Sequence, residues 1–220
     1  MADFVPLTRT EMARRVAQDI PEGWYVNLGI GIPTMVADHI PDGHEVFLHS
    51  ENGILGMGPA PAADRVDPWV INAGKQHVTL LKGGSFFHHA DSFAMIRGGH
   101  IDLCVLGAFE IAQNGDLANW ATSAADAAPA VGGAMDLAVG AKRIWVVTEH
   151  TTKEGTPKLV QQCSYPLTAL AAVSRIYTNL AVIDVTPDGF VVREMVRGMT
   201  LQDLQARTAA PLRMLETLHG

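Results

Sequence analysis

The chain has only two cysteines, Cys104 and Cys163, each inside an apolar stretch and neither in a Cys-x-x-Cys pair. A disulfide framework or a cysteine-based zinc site therefore finds no support. Basic runs are missing too: the net charge is −7, which argues against nucleic acid as the main partner. No apolar run approaches the roughly 18 residues that a membrane span needs. The start, Met1-Ala2-Asp3-Phe4, has no basic segment followed by an apolar one, so no signal peptide is expected and a cytoplasmic protein is. What remains is the profile of a folded protein, with 48% apolar and 18% charged residues. A length of 220 residues suits one domain, expected to span residues 1–220. The 21 glycines cluster, so backbone geometry matters at particular loops.

Thr8-x-x-Glu11 is a capping box, and Met12, Val16 and Ile20 form the apolar stripe of a first helix. Trp24 to Leu28 reads as a buried strand running into Gly29-Ile30-Gly31-Ile32-Pro33, and a helix is expected from about Thr34 to Ile40. Val46 to Leu48 is a second strand, leading directly to Ser50-Glu51-Asn52-Gly53. After a proline-rich loop (Pro59 to Pro68), strands are expected at Val78 to Leu81, Ile101 to Leu106 and Arg143 to Thr148, and helices at Asp91 to Arg97 and Ala134 to Val139. Ala181 to Val185 and Phe190 to Val196 flank Thr186-Pro187-Asp188-Gly189 as a β-hairpin, and Thr200-x-x-Asp203 opens a last short helix. Ala121 to Ala130 reads as a surface loop. The alternation predicts an α/β fold: a mostly parallel central sheet flanked by helices.

Glu51 is the first candidate for chemistry. A carboxylate just beyond a buried strand lies where open α/β sheets hold their ligands, and the small residues through Gly58 leave room for close approach. A solvated loop glutamate is the ordinary alternative. Gly29-x-Gly31 lacks the third glycine of a dinucleotide fingerprint, and no P-loop lysine follows. Such a loop can instead present backbone N–H groups to a narrow ligand. Gly132-Gly133, ahead of a helix start, could stabilise an oxyanion or be a plain turn. His88-His89-x-Asp91 lacks a third ligand at a metal-binding spacing, so no metal is expected. His49, two residues before Glu51, can face the same side of the strand. No Gly-x-Ser-x-Gly elbow occurs.

The run Leu48-His49-Ser50-Glu51-Asn52-Gly53-Ile54-Leu55-Gly56 resembles the active-site signature of the 3-oxoacid CoA-transferase family, in its β subunit or C-terminal half. The resemblance extends through Asn27 to Pro33, Ile71 to Lys75, Ser92 to His100, Gly115 to Trp120 and Gly132 to Leu137, nearly the whole chain. Gly74 to Leu81, Phe86 to Asp91 and Pro129 to Gly133 are similar to the branch that takes CoA from succinyl-CoA to 3-oxoadipate, with acetoacetate the alternative acceptor. The chain departs from the family pattern at Asp67-Pro68-Trp69 and Arg197-Gly198-Met199-Thr200. The resemblance implies the family's fold and a nucleophilic Glu51 that carries CoA as a thioester. It implies Gly133 as oxyanion donor with Gly132 beside it, and Asn27, Gly29, Gly31 and Lys75 around the CoA or substrate site. CoA would be a substrate and covalent intermediate, with no permanently bound cofactor. It further implies an A subunit as partner, in a heterodimer or an A2B2 tetramer.

Overall fold

A computed structural model describes residues 4–122 and 131–215. Its first helix, α1 (Arg9–Asp19), begins at the expected capping box: the Thr8 hydroxyl accepts from the Glu11 N–H, and the Glu11 carboxylate accepts from the Thr8 N–H. β1 (Tyr25–Leu28) runs through the glycine loop into α2 (Ile32–Met35), which tightens into a 3₁₀ turn at Val36–His39. The expected helix therefore starts two residues early and is not α-helical throughout. Next come β2 (Phe47–Ser50), β3 (Ile54–Met57), β4 (Leu80–Phe86), α3 (His89–Arg97) and β5 (Leu103–Leu106). Short strands β6 (Glu110–Ala112) and β7 (Leu117–Ala118) precede α4 (Ala134–Gly140) and β8 (Ile144–Thr148). The chain continues with β9 (Leu159–Val160), β10 (Val173–Thr178), β11 (Ala181–Thr186), β12 (Gly189–Met195), α5 (Leu201–Gln205) and β13 (Leu212–Met214). The expected loop at 121–130 lies, beyond Thr122, outside the described residues.

Ten strands form one sheet in the order β13-β12-β11-β10-β8-β5-β1-β2-β3-β4. Its centre, from β10 to β2, is parallel throughout. Antiparallel pairs flank that centre at β2–β3–β4 and β10–β11–β12. The expected hairpin is the β11–β12 pair, with Thr186 opposite Gly189. Strands β6, β7 and β9 form a separate small sheet.

Both faces of the parallel centre are covered, so its strands read as unbroken apolar runs. On β5 and β8 the period of two divides the core: Leu103, Val105, Trp145 and Val147 pack with Met12 and Val16 of α1. Cys104, Leu106, Ile144 and Val146 pack on the other side with Ile96, Leu137 and Ala138 of α3 and α4. Ion pairs fix α1 across the sheet: Arg15 meets Glu194 at 2.6 Å and Asp19 at 2.8 Å, while Arg175 joins Asp19 at 3.2 Å to Asp184 at 2.6 Å. β1 lies between β2 and β5, so successive connections depart to opposite sides there. Open sheets bind ligands in the crevice at such a reversal.

Candidate active site

β2 ends at Ser50, and the chain turns through Glu51, Asn52 and Gly53 into antiparallel β3, with Ser50 opposite Ile54. Gly53 closes the turn by donating its N–H to the Ser50 carbonyl at 2.9 Å, with φ at +112°. A Cβ at Gly53 would overlap the Phe87 carbonyl, while the Phe87 N–H donates to the Gly53 carbonyl at 3.0 Å. Asn52 Nδ2 donates to the Ile71 carbonyl at 2.7 Å, and Ser50 Oγ accepts from the Ala73 N–H at 2.9 Å. The turn carrying Glu51 is thus clamped by two separate loops.

The Glu51 side chain is half-buried in a cavity of about 700 Å³ at the carboxyl ends of β1, β2, β5 and β8. Burial raises its pKa above the ordinary 4.5; His89 opposes this and Asp136 reinforces it. Among the described residues no hydrogen-bond donor reaches its carboxylate. The carboxylate lies against Gly133: a Cβ there would stand 2.7 Å from Oε2 and 3.0 Å from Cδ. Gly133 directly precedes α4, and Gly132 has φ at +54°, a conformation that glycine adopts without strain. Neither glycine's N–H donates to a protein acceptor among the described residues. The Arg97–Asp136 pair at 2.7 Å ties α3 to α4 and so holds this turn over Glu51.

Below the carboxylate, Asn27 and His49 are buried. Asn27 Nδ2 lies 3.1 Å from His49 Nδ1 and 3.3 Å from the His49 carbonyl, and His49 Nε2 lies 2.9 Å from Ser92 Oγ. Burial lowers the His49 pKa to about 4, so the ring is neutral at physiological pH. With Asn27 donating to Nδ1, the proton sits on Nε2 and is donated to Ser92.

The other sequence-predicted residues divide. Gly31, with φ at +95°, and Gly29 both line the cavity. The Gly29 N–H, however, is taken up by the Val105 carbonyl at 2.9 Å, so it is not presented to a ligand as expected. The missing Cβ serves packing instead, because it would meet Leu106 and the Val105 carbonyl at 3.1 Å. Lys75 is exposed on a turn with φ at +62°, and its side chain stands outside the cavity wall that Asn72, Gly74 and Gln76 help to form. His88 caps α3 by accepting from the Ala90 N–H at 3.1 Å, and the His89 ring lies 4.8 Å from that of Phe93. Among the described residues no cluster of three or more His, Cys, Asp or Glu could hold a metal ion.

Two features are not visible in the sequence. Its spacing brings His49 near Glu51, but the role of this ring beneath Asn27 depends on Ser92, which only the fold brings close. Lys158 also lines the cavity, with Nζ donating to the Ala108 carbonyl at 3.1 Å and to Thr148 Oγ1 at 2.9 Å. Its surroundings, Lys153 to Pro157, look like any polar surface loop.

Comparison with known proteins agrees with this geometry. The family described as Coenzyme A transferase matches residues 9–206. The B subunit of 3-oxoadipate CoA-transferase from Acinetobacter baylyi is 62% identical over 206 residues, 94% of this chain and 95% of that protein. A Bacillus subtilis protein, named as the probable B subunit of a succinyl-CoA:3-ketoacid coenzyme A transferase, is 48% identical over 92% of this chain and 93% of its own. Among solved structures, an acyl-CoA transferase apoenzyme from Escherichia coli O157:H7 superposes with a TM-score of 0.73 at 19% identity, over 97% of this chain and 43% of that one, a likeness of fold. Among the described residues no helix is long and apolar enough to cross a membrane. With a desolvated glutamate at the sheet reversal and a family match running from α1 through α5, this chain belongs to the coenzyme A transferase family.

Proposed function

We propose that this chain is the B subunit of an enzyme that moves CoA from succinyl-CoA to 3-oxoadipate, with Glu51 carrying the CoA. The observation that supports this most directly is the Glu51 carboxylate, desolvated, without a hydrogen-bond donor among the described residues and pressed against Gly133 in an open cavity. The 62% identity to the corresponding chain of a 3-oxoadipate CoA-transferase supports the choice of acceptor. In the first half-reaction a Glu51 oxygen attacks the thioester carbonyl and expels the CoA thiolate, leaving a mixed anhydride. The thiolate then attacks the Glu51 acyl carbon, releases succinate and leaves a glutamyl-CoA thioester. The acceptor carboxylate reverses both steps and departs as its CoA ester. Both intermediates keep the acyl group activated, which is what a carboxylate nucleophile offers here. Partial desolvation suits the chemistry, because water would hydrolyse either species.

In this reading the N–H groups of Gly132 and Gly133, which meet no acceptor among the described residues, face the oxyanion that develops at the reacting carbonyl. Asn27 lines the substrate cavity, its amide fixed by neutral His49, while Gly29 and Gly31 leave space for a narrow ligand beside it. Lys75 meets a polar part of CoA outside the cavity proper. The cavity is open, and the similar proteins named as B subunits imply an A subunit; we propose that it completes the site, in a heterodimer or A2B2 assembly. Residues 1–220 then act as one domain, supported by the single ten-stranded sheet that runs through the described residues. We read the enzyme as cytoplasmic, a reading that a charged, membrane-impermeant nucleotide thioester as donor supports. Acetoacetate is the second reading of the acceptor, favoured by the 48% identity to the Bacillus subtilis protein.

Intact mass after mixing the A/B complex with succinyl-CoA tests the mechanism. A CoA adduct should map to Glu51 and be absent in Glu51→Gln. An adduct on another residue, or undiminished transfer by Glu51→Gln, refutes it. Turnover with 3-oxoadipate against acetoacetate decides the acceptor.

A further inference from the structure

Among the described residues Lys158 forms no ion pair. Its Nζ binds two neutral acceptors, the Ala108 carbonyl and the Thr148 hydroxyl, and Thr148 Oγ1 itself donates to the Ala108 carbonyl at 3.2 Å. Three N–H donors on an ammonium leave one over. Among the described residues no carboxylate lies within ion-pair distance of Lys158; nearby Glu149 acts on it only through its charge, which favours the ammonium, and meets Arg9 at 3.5 Å. The side chain is half-buried, and that burial lowers its pKa. A half-buried ammonium facing a cavity with a free N–H is set up for an incoming anion, since a charge-assisted contact would offset its desolvation.

Position says which anion. Ala108 lies just past β5 and Thr148 ends β8, so Lys158 reaches into the same cavity as Glu51 from the opposite side of the reversal. β5 and β8 are two and three strands from β2, lateral separations of about 10 and 14 Å at the usual strand spacing. An acyl chain of about four to six carbons spans about 10–12 Å if one end stands at attack distance from Glu51 and the other contacts Nζ. Succinyl and 3-oxoadipyl groups fit those terms, and both carry a carboxylate at the far end.

We propose that Lys158 binds the distal carboxylate of the acyl group and so selects dicarboxylic over monocarboxylic acyl-CoA donors. This rests on the acyl-transfer reading above and adds a specificity determinant to it. Ala108 and Thr148 serve as the props that hold the ammonium in place.

The test compares succinyl-CoA with butyryl-CoA, which has the same chain length and a methyl group in place of the carboxylate, as donors to the A/B complex. The parent enzyme should prefer succinyl-CoA. K158M should lose about 10- to 100-fold in kcat/KM for succinyl-CoA, mainly through KM, with butyryl-CoA unchanged. K158Q keeps an N–H donor for the Ala108 carbonyl but no charge, and should show the same loss of preference even if K158M does not fold. An equal fall with both donors, as expected if Lys158 held CoA or only the architecture, overturns the proposal. So does parent-like selectivity in K158Q. Calorimetry of succinate binding to the Glu51→Gln complex, with and without K158Q, reads the subsite in the absence of transfer. Lys158-dependent binding in a complex whose parent forms no adduct would sink the transferase reading alone; Lys158-independent binding in a transfer-competent enzyme sinks the subsite alone.

Discussion

Gly133→Ala should separate stability from activity. The new methyl would stand 2.7 Å from Glu51 Oε2, where ordinary contact begins at 3.4 Å, so the carboxylate must retreat by about 0.7 Å. The fold can absorb this, because the far end of a glutamate swings easily. The backbone can absorb it as well: Gly133 sits at φ −80° and ψ −2°, which alanine adopts without strain. Reduced freedom in the unfolded chain should add about 0.4–1 kcal/mol of stability. The chemistry has no such latitude, since a misplacement of about 1 Å costs about 100-fold in rate. Adduct formation at Glu51, followed by quenched intact mass in the A/B complex, should slow by about 30- to 100-fold, while Tm holds or rises by a degree or more. Adduct formation at the parent rate would show that the carboxylate does not need this position. A fall in Tm would show that Gly133 serves the fold rather than the site.

Burial raises the Glu51 carboxyl above 4.5, so the folded chain keeps its proton at pH values where the unfolded chain has released it. Stability contributed by this residue therefore declines as pH rises from 4.5 through the folded-state value. Glu51→Gln should have the higher Tm at neutral pH, with the advantage closing below pH 4.5; a Tm difference that does not vary with pH contradicts the desolvation argument. The same shift predicts that adduct formation fails on acidification at a higher pH than an unperturbed glutamate would allow. Gly53→Ala should be the most damaging single methyl in the turn, because it combines φ +112° with overlap of the Phe87 carbonyl. A loss of about 2–4 kcal/mol is expected in chemical denaturation, and a loss under about 1 kcal/mol would refute the clamp.

The parallel centre is legible in the sequence because strands covered on both faces are continuous apolar runs, and the capping boxes at Thr8 and Thr200 mark their helices directly. The antiparallel side near the site is not. β3 and the second half of β4 contain glycines that read as turns, yet Gly56 and Gly84 face each other so closely that a Cβ at Gly56 would stand 2.8 Å from the Gly84 Cα. They are packing devices, and only the pairing reveals it. That is why the strand expected at Val78 to Leu81 proves to be Leu80–Phe86. In the site, Glu51 and Gly133 can be placed because each stands at an element boundary. Lys75 is exposed on a turn and is not among the residues that line the cavity, which the motif around it does not reveal. Lys158 carries no local signal, since its partners lie 50 and 10 residues away in the chain.

The turn that bears Glu51 has a consequence for assembly. Hairpin tips usually sample many conformations, and a reactive group on one must be ordered when a partner arrives. Here the Phe87 contacts, the Asn52 hydrogen bond and the Ser50 hydroxyl fix the tip within a single chain. The conformational entropy of ordering it belongs to the folding of this chain and is not charged again on association. In the proposed assembly a second chain would then meet a surface with the Glu51 carboxylate already in position, and the free energy of docking could go into excluding water from it.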